Sequence, residues 1–176
     1  AVAPERSAVR CLVRSEEEAA LLSVVGPSVQ PVVGDVRDPS ALERLFEGAT
    51  GATVVHAAAI IHPESRVQEL HDVNVGGTQL VLDRARRQGA GRLVHISSNS
   101  PYGANPTPDQ RFTEASPQHP YMGYGRSKER MEAIVAREPT QQAASDVLLR
   151  AYRASGEAAK LTALIEARVV VSTDPL

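Results

Sequence analysis

Short apolar runs alternate with amphipathic stretches along this chain, and that alternation limits its fold more than any other feature. Residues 8–13 have strand character, and Ser15 with Glu18 makes a capping box that opens a helix to about Leu22. Residues 29–34 make a second strand interrupted only by Pro31, after which Pro39 suits the first turn of a helix running through Phe46. Residues 53–59 form a third strand, and beyond a loop holding Pro63 a long helical pattern covers 67–88 and stops at Gly89. Residues 92–97 are a fourth strand. Its helix, 121–137, comes late, behind a loop from Asn99 to about Pro120 that carries five of the twelve prolines. Loops of that length in a compact domain usually carry function. A strand at 147–150, a polar helix at 157–166 and a short strand at 169–171 complete the pattern. This order predicts an α/β fold with a doubly wound parallel sheet, helices on both faces and ligands at the carboxyl ends of the strands.

Composition removes several function classes. A chain of 176 residues, 42% apolar and 23% charged, suffices for one globular domain with a real core and not for two. Its 19 basic and 21 acidic residues leave a net charge of −2, which offers no field for nucleic acid or an anionic membrane. The single cysteine, Cys11, sits in an apolar run and fits a buried thiol; with no second cysteine to pair with, it suits a reducing, cytoplasmic setting. There is no apolar run of about 18 residues, no signal-peptide pattern and no lipidation site, so the expectation is a chain that neither spans a membrane nor is exported. His56 and His95, inside apolar strands, are expected to be satisfied structural histidines, and no cluster has metal-ligand spacing.

Chemistry concentrates on the last long helix. Tyr124 and Lys128 stand four residues apart, which puts a phenol and an ammonium one turn apart on one face. A phenol titrates near about 10, and a neighbouring cation favours the phenolate, so the pair offers a proton-transfer group for near-neutral pH. The same spacing also arises on any solvated helix. It means catalysis only if the rest of the chain supplies a site.

Four landmarks in order supply that context: Val55-His-Ala-Ala-Ala59, Asp72-Val-Asn-Val-Gly-Gly-Thr78, His95-Ile-Ser-Ser98 followed by Pro101-Tyr-Gly103, and Tyr124-Gly-Arg-Ser-Lys128. Together they resemble the short-chain dehydrogenase/reductases, and within them the extended branch of NAD(P)-dependent epimerases, dehydratases and hydroxysteroid dehydrogenases, over about residues 8–137. The resemblance implies a Rossmann-like sheet and hydride transfer between NAD(P) and a secondary alcohol or ketone, with a nucleotide sugar among the candidate substrates. It implies that Tyr124 is the acid/base, that Lys128 lowers its pKa and holds the cofactor ribose, and that Ser98 hydrogen-bonds the reacting oxygen. Asn74 would bind a water that relays protons to Lys128, although an asparagine early in a helix also serves as a packing or cap residue. Ala57, Ala58 and Ala59 would pass the nicotinamide ribose. Asp35 and Val36 would contact adenine; for Asp35 the alternative is a helix cap, a task that Asp38 fits better. Arg14, just past the first strand, gives a leaning to NADP over NAD, because its fork suits a 2′-phosphate. A small-molecule substrate is implied, and a homodimer through the helices at 67–88 and 121–137.

The chain also departs from the pattern. The family opens with a strand and a glycine-rich turn leading into a helix, whose amides hold the pyrophosphate, and no such opening is present. The nearest string, Gly48-Ala-Thr-Gly51, runs into a strand instead of out of one and reads as a turn. In the doubly wound order the absent strand is central, between the strands near Val13 and Val55, so two long edges would be left open. Beyond Leu149-Arg150 the substrate lobe is reduced to a remnant. Residues 1–150 are therefore expected to form a partial NAD(P)-binding domain and 151–176 the remnant of a substrate lobe, in part of a larger enzyme; a genuinely reduced protein is the other possibility. A catalytically silent scaffold or partner-binding protein that takes no cofactor is the rival function. The intact Ser98, Tyr124 and Lys128 speak against it.

Overall fold

The computed structural model describes residues 8–61, 66–105, 107, 109, 111–113, 115–137 and 169–172. In chain order these form β1 (Val9–Val13), α1 (Glu16–Ser23), β2 (Val29–Val33), α2 (Pro39–Phe46) and β3 (Thr53–His56). There follow α3 (Val67–His71), a π-helical turn (Asp72–Gly76), α4 (Gly77–Arg87), β4 (Arg92–His95), a 3-10 turn (Ser100–Tyr102), α5 (Gly123–Val135) and β5 (Val169–Ser172). The strand expected at 147–150 and the helix at 157–166 lie outside the described residues.

Helix starts follow their capping chemistry. Ser15 accepts the Glu18 N–H at 3.2 Å and opens α1. The carboxylate of Glu18 reaches past the cap to the Arg14 N–H at 2.7 Å. At α2, Asp38 accepts the Ser40 N–H at 2.9 Å with Pro39 in the first turn, where its missing N–H costs nothing. The core lies on both faces of the sheet. β1 buries three residues in a row: Cys11 and Val13 face Ala19 and Leu22 of α1, whereas Leu12 faces the larger cluster built by Leu42, Leu45 and Phe46 of α2, Val54 of β3 and Val81 and Leu82 of α4. A strand buried on both sides reads as a continuous apolar run, which is why β1 shows no alternation.

The five strands are ordered β2-β1-β5-β3-β4. β1 and β2 are parallel, as are β3 and β4, and β5 runs antiparallel to both of its neighbours. The middle of the sheet, expected to be open, is therefore filled, by Val169–Ser172 lying between Leu12–Val9 and His56–Thr53 in register. The physical reason is that the facing edges of β1 and β3 present buried amides and carbonyls that must be paired. The sheet is mixed as a result, with Val169–Ser172 at its centre.

Two strand ends and the long helix also differ from expectation. β3 stops at His56 and β4 at His95, so that Ala57–Ala59 and Ile96–Ser98 are irregular segments leaving the sheet. The helix expected at 67–88 is continuous in direction but carries a π-turn around Asn74.

Candidate active site

Because β1, β2, β3 and β4 all run antiparallel to β5 or parallel to a strand that does, their carboxyl ends share one edge of the sheet. Arg14 follows β1 there, Gly34-Asp35-Val36 follows β2, Ala57–Ile61 follows β3 and Ile96–Asn99 follows β4. Two clefts open along this edge. One is lined by Arg14, Asp35, Val36, Arg37, Ala58, Ile60 and Glu69. The other, of about 650 Å3, is lined by Ile61, Leu70, Ser98, Ser100, Tyr121, Met122 and Tyr124, among others. Consecutive residues Ile60 and Ile61 line different clefts, so an elongated ligand lying across the strand ends would pass them both.

Tyr124 lies in the first turn of α5, where Gly125 permits close approach to the turn after β4: a Cβ on Gly125 would stand 2.6 Å from the Ser100 carbonyl oxygen. That contact brings Tyr124 to Ser98. Ser98 Oγ lies 3.0 Å from Ser100 Oγ and accepts the Ser100 N–H at 3.2 Å. Either hydroxyl can donate in that pair; when Ser100 Oγ donates, the Ser98 proton is free to point at the phenol or at a substrate oxygen. Burial pushes the Tyr124 pKa up, and the Ser98 hydrogen bond pulls it down. The expected depression by Lys128 does not govern the phenol in this state. The Lys128 Nζ is 5.9 Å from the Tyr124 ring centroid and donates to the Ile96 carbonyl at 2.8 Å. Lys128 itself is 3% exposed, and burial pushes its pKa down to about 8 against the pull of Glu132.

Asn74 is fully buried beneath this group. Its Oδ1 accepts the Ile60 N–H at 2.8 Å, and its Nδ2 donates to the Ile60 carbonyl at 3.0 Å and to Ser127 Oγ at 2.9 Å. Ser127 in turn donates to the Tyr124 carbonyl at 2.7 Å. Both amide hydrogens are used, so the side chain ties the segment after β3 to the helix of the base. Ser100, Ser127 and Glu132 are site residues that sequence reasoning missed. Ser127 was legible only as the residue before Lys128 in the motif, facing the helix that carries Asn74.

The cofactor candidates divide. Asp35, Val36, Ala58 and Arg14 gather round the first cleft. Ala57 and Ala59 are half-buried on the segment between the two clefts. Val36 is buried, and α4 packs on it so closely that a Cβ on Gly77 would stand 2.7 Å from Val36 Cγ1. Asp35 holds Arg37 through two oxygens, at 2.8 and 2.7 Å, and the capping task falls to Asp38. Arg14 is exposed and pairs with Glu18 at 3.2 Å. The histidines are buried as expected but only partly satisfied. His56 Nε2 meets Thr78 Oγ1 at 2.9 Å, whereas His56 Nδ1 and both His95 nitrogens have no hydrogen-bond partner among the described residues. Burial and the Lys128 charge keep both rings neutral. Among the described residues no group of histidine, cysteine or acidic side chains could hold a metal ion, and no helix is long and apolar enough to cross a membrane.

Strands ending on a common ligand edge, covered by helices on both faces, define the Rossmann-like α/β class. The family model of the NAD dependent epimerase/dehydratase family matches residues 4–170. The chain belongs to that family, within the short-chain dehydrogenase/reductase superfamily. It is 38% identical over 141 residues to the uncharacterized protein y4nL of Sinorhizobium fredii, covering 80% of this chain and 39% of that one. It is 36% identical over 123 residues to sterol demethylase protein B of Methylococcus capsulatus, covering 68% of this chain and 36% of that one. Among solved structures, the dTDP-glucose 4,6-dehydratase DesIV of Streptomyces venezuelae with NAD and TYD bound aligns with a TM-score of 0.57 at 31% identity, over 81% of this chain and 39% of that one. The chain thus spans between 36% and 39% of the length of these relatives.

Proposed function

We propose that the protein transfers hydride between NAD(P) and a secondary alcohol or ketone, as an oxidoreductase or as one step of an epimerisation or dehydration, with Tyr124, Lys128 and Ser98 moving the proton. The observation that carries this reading is that Ser98 and Tyr124 stand together on the wall of a cleft of about 650 Å3, with the Lys128 ammonium buried one helical turn behind. Residues fitting parts of a dinucleotide are present: Asp35, Val36 and Ala58 in the first cleft, Ala57 and Ala59 on the segment between the clefts, and Tyr124 on the wall of the second with Lys128 buried behind it. When bound, the nicotinamide supplies the hydride donor or acceptor. In the direction of reduction, Tyr124 gives its proton to the carbonyl oxygen, Ser98 donates a second hydrogen bond to that oxygen, and Lys128 offsets the charge left on the phenol. Asn74 holds Ile60 and Ser127 in place; the water relay implied by the family resemblance would draw on its last free lone pair.

NADP is the finer choice we infer from Arg14. Its exposed pair with Glu18, of a kind worth only about 0.3–0.5 kcal/mol, is readily exchanged for a 2′-phosphate. A nucleotide sugar is the first substrate class to test, by the likeness to the dehydratase with TYD bound. A substrate with a large apolar face is the second, because Ile61, Val67, Tyr121 and Met122 line the cleft with exposed apolar surface. A partial NAD(P) domain over residues 1–150 and pairing of two copies through α4 and α5 are also proposed, the latter tested by a solution mass of twice 18.8 kDa.

Calorimetry with NADPH and NADH tests the reading. Heat and thermal stabilisation below millimolar cofactor are expected, with NADPH tighter and the difference lost in Arg14→Ala. Tyr124→Phe is expected to lose turnover by at least about 100-fold at nearly unchanged cofactor affinity. Absence of binding to either nucleotide would sink the proposal.

A further inference from the structure

Glu132 stands one turn after Lys128 on α5, half-buried, and no part of the mechanism above uses it. Its two oxygens take hydrogen bonds from two different segments. Ser97 Oγ, in the segment leaving β4, donates to Oε1, and Gln118 Nε2, in the loop returning to α5, donates to Oε2 at 2.5 Å. Those segments are the ones that carry the site: Ser97 is bonded to Ser98, and residues 118–120 pack on the turn that holds Ser100. The packing is close, since His119 N–H donates to the Pro101 carbonyl at 2.9 Å and a Cβ on Gly103 would stand 2.4 Å from the His119 oxygen. A carboxylate accepting two charge-assisted hydrogen bonds in a partly buried place is a strong joint, and it joins three segments instead of two.

The geometry points to Glu132 as a positioning residue of the Ser98–Tyr124–Lys128 site, a clamp that holds the end of β4 and the returning loop against the helix that carries the base. This deepens the hydride-transfer reading and rests on it. The same carboxylate has an electrostatic consequence. Lys128 is faced by His95 of β4, His56 of β3, Tyr124 and Glu132 on its own helix; the two histidines are neutral, and Glu132 is the anion that pulls the Lys128 pKa upward against burial. Removing it should therefore lower the pH at which Lys128 loses its proton.

The test uses the full chain labelled with 15N at lysine side chains, alongside turnover. In Glu132→Gln and Glu132→Ala the Lys128 titration midpoint should fall below the parent's value of about 8. Turnover should drop roughly tenfold to a hundredfold in Glu132→Ala, and part of it should return in Glu132→Gln, whose amide still accepts one hydrogen bond. Ser97→Ala combined with Glu132→Ala should cost little more than Glu132→Ala alone. A Lys128 midpoint unchanged in both variants, or additive losses in the double variant, would overturn the clamp. If the parent chain shows no turnover with any substrate, the hydride-transfer reading fails on its own account. The Lys128 titration and a folding-stability cycle on Ser97 and Glu132 still decide the position of Glu132.

Discussion

At the scale of single residues, the site is a contest between burial and charge. Lys128 is buried enough to hold its proton weakly, with a pKa near 8, whereas burial moves the Tyr124 phenol the other way. Both groups are therefore protonated at neutral pH, which suits proton donation to a ketone. As pH rises, Lys128 is the first to change. We expect kcat/KM for ketone reduction to be level below about pH 8 and to fall with the loss of one proton above it, since this ratio reports groups of the free enzyme. A Lys128→Met variant should be slower and lack that limb. A parent profile that stays flat beyond pH 9 would remove Lys128 from the chemistry. The sequence alone carried the pairing of Tyr124 with Lys128, because helical spacing fixes it. It could not carry the sign of the phenol's shift, which depends on where the Lys128 side chain turns, here to the Ile96 carbonyl.

At the scale of elements, what was legible follows from local patterns. Ser15, Asp38 and Pro39 announced α1 and α2 through capping chemistry that needs no tertiary partner. The π-turn was not legible, since nothing in Asp72–Gly76 forbids an ordinary helix. Asn74, seated at the centre of that turn, bonds both polar groups of Ile60 and Ser127 on another helix. The central placement of the last strand was missed for the opposite reason. A run of valines near the end of the chain predicts a strand, but its direction and neighbours are set by the unpaired edges of β1 and β3. Val170 pairs with Cys11 on one side and Val55 on the other, so Val170→Pro removes a ladder donor from the middle of the sheet. A loss of roughly 1–3 kcal/mol is expected in urea unfolding. A variant as stable as the parent would show that the strand is not what joins the two halves.

At the scale of the whole molecule, the two halves of the sheet meet different demands, and the β3-β4 half pays for its place near the site with two buried histidines. His56 and His95 are register partners with ring centroids 5.5 Å apart, and Lys128 adds a third basic group to the same interior. The His95 pKa is pushed down to about 4 and that of His56 lies well below its ordinary 6.5, burial being the largest cause for both. With folded values below unfolded ones, the unfolded chain binds more protons between about pH 6.5 and 4. Stability is then complete above about 6.5 and falls as pH drops through that window. For His95 alone the loss is about 3 kcal/mol, a sizeable part of the 5–15 kcal/mol typical of a domain. Denaturant melts between pH 7 and 4.5 should show the parent weakening faster than His95→Leu as pH falls. Parallel curves would mean that water or a local opening already hydrates the His95 ring in the folded chain.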